Sequence, residues 1–199
     1  MPTAPPGYGF AADLFGDLES ASPWRFLLLA NLLALIPLGA AALLLWLPYQ
    51  MYAALGAPLA LFPAPDWPPW GFWLFGAGAL AGSIAAHEGL HGAALLLMGR
   101  RPRFGYAAGY LYASVRPGQF LTRRAYLVMV LSPLAIISLV GGLTLPFLSA
   151  SLGQIVVLAL LLNAAASIGD LAVAQRLLRW PPDALFAEAG GIHVYTRQG

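Results

Sequence analysis

The segment His87-Glu88-Gly89-Leu90-His91 holds two histidines and a glutamate within five consecutive residues. On an α-helix, residues four apart lie on one face, so His87 and His91 can bind one metal ion together. Glu88 follows the first histidine directly, where its carboxylate can take a proton from a water molecule that the metal polarises. This H-E-x-x-H spacing predicts a helical metal site for hydrolysis, with Glu88 as the catalytic base.

Histidine and glutamate are scarce in this chain, which makes a chance arrangement improbable. The sequence has three histidines and three glutamates, and half of these six residues stand in the five-residue segment. The segment lies inside an apolar stretch, Trp70 to Met98, where a charged group costs several kcal/mol unless it is compensated. The alternative is that the two histidines only bond to neighbouring helices.

Composition indicates a membrane protein. The 199 residues are 60% hydrophobic and 9% charged, whereas soluble domains carry about 25% charged residues. The sequence has no cysteine, which excludes disulfides and thiolate metal sites, so a metal must be held by nitrogen and oxygen ligands. The net charge of +2 provides no extended basic surface, and nucleic-acid binding is not expected.

The apolar segments predict an all-α polytopic membrane protein with about four transmembrane helices. We expect one metalloprotease-like domain over residues 1–199, with a disordered and interfacial N-terminal segment (1–23), a transmembrane core (24–178) and a cytoplasmic tail (179–199). A short interfacial helix is predicted over residues 11–20. The four spans are expected at about Trp24–Leu47, Trp70–Met98, Tyr126–Leu148 and Gln154–Leu178.

Two short β-hairpins are expected beside these helices. Aromatic residues alternate with small ones from Phe104 to Tyr112, which predicts strands at the membrane surface; an aromatic interfacial loop is the alternative. In the tail, Gly190-Gly191 separates two apolar runs and is typical of a hairpin turn. His193 follows that turn and is interpreted as a surface residue.

Arginines predict the topology, because cytoplasmic loops of membrane proteins are enriched in positive charge. This bias places the connection between the second and third spans, and both termini, in the cytoplasm. The arginines in that connection are Arg100, Arg101, Arg103, Arg116, Arg123 and Arg124, and Arg176 and Arg179 follow the fourth span.

A catalytic zinc site usually has three protein ligands, so one more residue is needed. Besides Glu88, Asp170 is the one acidic residue within the predicted spans, and it lies at a depth similar to that of His91. Its alternative role is an interfacial carboxylate paired with Arg176. Asn163 and Ser167 precede Asp170 on the same predicted helix face and could bind substrate, support the metal ligands or bond neighbouring helices.

These residues resemble the bacterial membrane family of zincin peptidases, and they also resemble the site-2 protease family of intramembrane metalloproteases. In site-2 proteases an Asn-containing segment ends in Leu-Asp-Gly, and its aspartate, which matches Asp170, is the third zinc ligand. This chain has Gly169 and Leu171 around that aspartate, and its Asn-to-Asp spacing is one residue shorter. The resemblance covers the three later spans, and it implies a membrane protease with Zn²⁺ as its cofactor.

The sequence therefore predicts a zinc-dependent peptidase that hydrolyses membrane proteins or peptides within or beside the lipid bilayer. His87, His91 and Asp170 are the expected metal ligands, Glu88 is the expected base, and Asn163 and Ser167 are expected to bind substrate or support the ligands. Two other functions fit the same residues: a non-catalytic metal-binding membrane scaffold or regulator, and a metal-dependent hydrolase that acts on lipid.

Overall fold

The computed structural model describes residues 2–16, 23–54, 68–107 and 110–198. Long helices alternate with short strands, and a 3₁₀ turn, Leu145–Phe147, connects the third helix to the fourth. The elements follow in the order β1 (Tyr8–Asp13), α1 (Pro23–Ala54), α2 (Pro69–Leu97), β2 (Pro102–Ala107), β3 (Tyr110–Val115), β4 (Leu121–Thr122), α3 (Arg123–Thr144), α4 (Ala150–Ala166), α5 (Ile168–Leu177), β5 (Leu185–Glu188) and β6 (Ile192–Arg197).

The prediction of an all-α protein with about four transmembrane helices is wrong. The described residues form two antiparallel sheets besides the helices. Within those residues, the stretches Leu32–Met51 and Arg123–Phe147 are long and apolar enough to cross a membrane, and a third span exists only if α4 and α5 count as one. Helix α2 has 29 residues, but its glycines and its His-Glu-Gly-Leu-His segment lower its apolarity.

The predicted fourth span bends by 43° where α4 meets α5. Ser167 ends α4, and its backbone N–H and its hydroxyl both donate to the Asn163 carbonyl, at 3.0 and 2.8 Å. A hydroxyl that bonds back onto its own helix often bends it. The bend begins a new helix, so Asp170 lies in the first turn of α5, where the positive end of the helix dipole favours a carboxylate.

The chain divides into two compact units. The first contains Met1–Leu29, Glu88–Ser132 and Gly169–Gly199, and it holds both sheets. The second contains Ala30–His87 and Pro133–Ile168, and the residues that the structure describes there lie mainly in helices. Helix α2 is continuous through His87 and Glu88, so the two neighbouring functional residues have a fixed helical spacing.

The N-terminal segment differs from the predicted disordered and interfacial segment. Strand β1 pairs antiparallel with β6 and forms one edge of a four-stranded sheet with the order β1-β6-β5-β4. The Phe10 ring packs edge-on against the rings of His193 and Tyr195, with centroids 5.9 and 6.0 Å away. Residues 17–20, the end of the predicted interfacial helix, lie outside the described residues.

Both predicted hairpins are confirmed. Strands β2 and β3 pair antiparallel with Phe104 opposite Ala113, and β5 and β6 pair around a turn in which Gly190 has a φ of +77°. The interpretation of His193 as a surface residue is wrong, because its side chain is buried. Its Nδ1 atom contacts the Asp13 carboxylate and its Nε2 atom lies 3.1 Å from the Ala189 carbonyl.

Candidate metal centre

Helix α2 presents His87 and His91 one turn apart, and both side chains are buried. Small residues surround them in the sequence, and the aromatic ring of Phe104 lies over Gly92: a Cβ atom added at Gly92 would lie 2.5 Å from the Phe104 ring. The β2–β3 hairpin can therefore approach this part of α2 closely because position 92 has no side chain.

Each histidine is oriented by an oxygen acceptor on its Nδ1 atom. His87 Nδ1 lies 2.9 Å from the Asn163 side-chain oxygen, and His91 Nδ1 lies 2.9 Å from the Met129 carbonyl oxygen. Since oxygen accepts in both contacts, Nδ1 is the donor, and Nε2 is the ring nitrogen that can bind a metal when the imidazole is neutral. Metal-binding histidines commonly donate their other ring N–H to a carbonyl or carboxylate in this way.

Asp170 completes a set of three ligand atoms. Its Oδ1 atom lies 3.3 Å from His91 Nε2, and one ligand atom from each of His87, His91 and Asp170 lies within 4.8 Å of the other two. Two atoms that bind one tetrahedral zinc ion at about 2.0–2.2 Å lie about 3.3–3.5 Å apart. Two imidazole nitrogens and one carboxylate oxygen also suit zinc chemically, so these three residues form a candidate zinc site.

Glu88 lies next to this set and is oriented by the β-hairpin. Its Oε2 atom accepts a hydrogen bond of 2.7 Å from the backbone N–H of Ala113 on β3. Glu88, His91 and Asp170 line one cavity of about 480 Å³ within the first unit. Such a cavity can admit water and a substrate to a carboxylate beside the metal ligands, which is the arrangement that hydrolysis requires.

The two other predicted site residues, Asn163 and Ser167, lie behind the metal ligands and are both buried. Asn163 is buried, and besides its contact with His87 its Nδ2 atom donates to the Pro133 carbonyl at 3.4 Å. Ser167 is fully buried, and its hydroxyl donates to the carbonyl of Asn163. Ser167 therefore bonds within its own helix, to the residue that contacts His87.

The sequence model of a protein family described as "Putative zincin peptidase" matches residues 80–185, just over half of the chain. The chain belongs to this zincin-peptidase family. The family assignment indicates a zinc metallopeptidase, and the matched segment contains His87, Glu88, His91 and Asp170. Searches of curated proteins and of solved structures gave no match.

In this zincin-peptidase family member, a third acid lines the cavity from outside the matched segment. Glu188, at the end of β5, lies in the same cavity as Glu88 and Asp170. Its Oε1 atom accepts a hydrogen bond of 2.5 Å from the hydroxyl of Tyr126 on α3. Phe186, two residues earlier and so on the same strand face, packs edge-on against the Tyr126 ring at 5.8 Å.

Sequence reasoning missed Glu188, which it had left in a cytoplasmic tail. Burial raises the pKa of the Glu188 carboxyl above its ordinary value, while hydrogen bonds from Tyr126, from the Val115 N–H and from the Ser114 hydroxyl oppose that rise. Glu188 therefore connects β5 to both α3 and β3. Strand β3 also donates the Ala113 N–H that hydrogen-bonds to Glu88 on α2. One signal was available: Glu188 is one of three glutamates in the chain and directly precedes the Ala189-Gly190-Gly191 turn.

Proposed function

We propose that this chain is a zinc-dependent, membrane-embedded peptidase that hydrolyses peptide bonds of membrane proteins or membrane-bound peptides. The observation that carries the proposal is the grouping of three metal-ligand atoms within 4.8 Å, with Glu88 in the same cavity as His91 and Asp170. The relation to site-2 proteases belongs to this proposal and is supported by Asn163 and Asp170, which follow the histidine segment on later helices.

In the proposed mechanism, His87, His91 and Asp170 hold the ion, and Zn²⁺, when bound, supplies a Lewis acid that acidifies water and polarises a carbonyl. Glu88 takes the proton from the attacking water and returns it to the leaving amine. The Ala113 N–H holds the Glu88 carboxylate toward the hairpin, which fixes where that proton is received. Asn163 and the Met129 carbonyl fix the ring orientation of the two histidines.

Peptidase activity can be tested with the purified full-length chain in liposomes that contain a library of synthetic transmembrane peptides. We expect mass spectrometry to find new peptide termini when Zn²⁺ is supplied, and the products should disappear when a zinc chelator is added. A protein that binds zinc stoichiometrically but cleaves no peptide in the library would favour the non-catalytic scaffold instead.

We also place both termini on the cytoplasmic side of the membrane. The arginine distribution supports this side, and the pairing of β1 with β6 supports a common side for the two ends. Because the chain has no cysteine, single cysteines at Thr3 and Gln198 can report accessibility to a membrane-impermeant maleimide added to intact cells. Both positions should react only after the cells are opened; reaction before opening would place the termini outside.

A further inference from the structure

We propose that Pro133, inside α3, is a positioning residue for both metal-binding histidines. The inference rests on the metal site of the proposed function and adds to it the residue that prepares the two acceptors facing the histidine rings. Pro133 is fully buried, and it is the proline that lies inside helix α3. Pro133 acts through the backbone N–H that it lacks and through its own backbone carbonyl.

The group that Pro133 lacks is a backbone N–H. In an α-helix the N–H of each residue bonds to the carbonyl four residues earlier, so the N–H of position 133 would bond to Met129. Proline removes that donor, and the Met129 carbonyl is left open to other donors. The carbonyl accepts His91 Nδ1–H at 2.9 Å and the Ser132 hydroxyl at 2.7 Å. The bond that proline deletes from the helix is thus replaced by a bond to a metal ligand.

The group that Pro133 has is its carbonyl, which acts on the other histidine. This oxygen accepts from Asn163 Nδ2 at 3.4 Å. An asparagine side chain has one donor end and one acceptor end, so fixing Nδ2 on a carbonyl turns Oδ1 toward His87 Nδ1, 2.9 Å away. The same residue therefore supports the ring orientation of His87 through Asn163 and of His91 through Met129.

The two effects have the same consequence for the metal. Both rings are held with Nδ1 as the hydrogen-bond donor, so Nε2 of each neutral ring is the nitrogen that can bind the ion. Hydrogen-bond partners of metal ligands typically contribute about 10–100-fold to metal affinity. A proline in a helix interior costs about 3 kcal/mol or more of helix stability, so removing it should affect metal affinity and helix stability in opposite directions.

The test compares Pro133→Ala and Pro133→Val with the parent full-length chain in detergent. Both substitutions restore an N–H that competes with His91 for the Met129 carbonyl, and valine is closer to proline in size. We expect Zn²⁺ affinity, measured by competition with a coloured chelator, to fall about 10–100-fold in both variants. The melting temperature of the metal-free protein should stay level or rise. Pro37→Ala makes the same chemical change inside α1 and should leave Zn²⁺ affinity unchanged.

Three results would overturn the inference. If the parent binds zinc and Pro133→Ala binds it equally well, the inference fails while the proposed zinc site remains. If affinity falls only together with a lower melting temperature in both variants, Pro133 has a general structural role and does not position the ligands. If the parent itself binds no zinc, the proposed function fails and the inference fails with it.

Discussion

Glu88→Gln is expected to keep the bound zinc and to lower kcat by about 10²–10⁴-fold, the usual contribution of a general base. Glutamine has the length of glutamate, and its side-chain oxygen can still accept from the Ala113 N–H that holds Glu88. The variant therefore removes the basic group with little change in shape. KM should change little, because the substitution acts on proton transfer. The measurement is kcat and KM on a cleaved peptide, beside zinc content.

The control for that variant is Asp183→Asn, which removes an acid from the same unit. The Asp183 side chain is 54% exposed and lies 4.0 Å from Arg197, so its loss should leave both kcat and zinc content unchanged. If Glu88→Gln cleaves as fast as the parent, another residue is the base. If Glu88→Gln loses its zinc, Glu88 is a metal ligand, and the assignment of Asp170 must be revised.

The grouping of His87, His91 and Asp170 was predictable because ionisable residues are rare in apolar segments. A helix fixes the spacing of two histidines four residues apart, and within the predicted spans one further acid, Asp170, was left to join them. The bend at Ser167 does not remove Asp170 from this group of ligands. Asp170 lies just after the bend, in the first turn of α5, and its carboxylate still lies near both histidines. Where candidates are few, sequence alone can select the residues that the fold brings together.

The groups that support these ligands were much less predictable. The partner of His91 is a backbone carbonyl, and every residue has one, so no residue type marks it. The one local hint is Pro133, four residues after Met129, because a proline at that position removes the N–H that would otherwise bond to the Met129 carbonyl. The partner of Glu88 is also a backbone group, the Ala113 N–H, and it is selected by how the hairpin packs on Gly92.

Long-range pairing explains the other differences between sequence and structure. Strand β1 pairs with β6, with Tyr8 opposite Arg197, and a six-residue strand has too little local pattern to indicate a partner so far along the chain. The same sheet buries His193 and brings Glu188 beside the metal ligands. The number of spans was overestimated because α2 and the α4–α5 pair were counted by length, although glycines and polar residues interrupt the first and a bend interrupts the second.

Asp170→Ala is expected to weaken zinc binding more than any substitution of a residue that only hydrogen-bonds to a ligand. Loss of a hydrogen-bond partner of a ligand costs about 10–100-fold in metal affinity, and loss of the ligand itself should exceed that. Asp170→Asn keeps a neutral oxygen in the same place, so its zinc affinity should lie between that of the alanine variant and that of the parent. Zinc content by mass spectrometry and affinity by chelator competition measure both variants, with His91→Ala as the reference for a lost ligand.

The cavity offers one competing assignment for the third ligand, because Glu188 is a third acid in its wall. Distance argues for Asp170, whose Oδ1 lies 3.3 Å from His91 Nε2, whereas the Glu188 carboxylate is bonded to Tyr126 at 2.5 Å. If Asp170→Ala binds zinc like the parent while Glu188→Ala does not, the two acids have exchanged roles. If His91→Ala and Asp170→Ala lose zinc alike and Glu188→Ala keeps it, Asp170 on α5 is the carboxylate that binds the metal. Glu188 on β5 then lines the cavity without binding the ion.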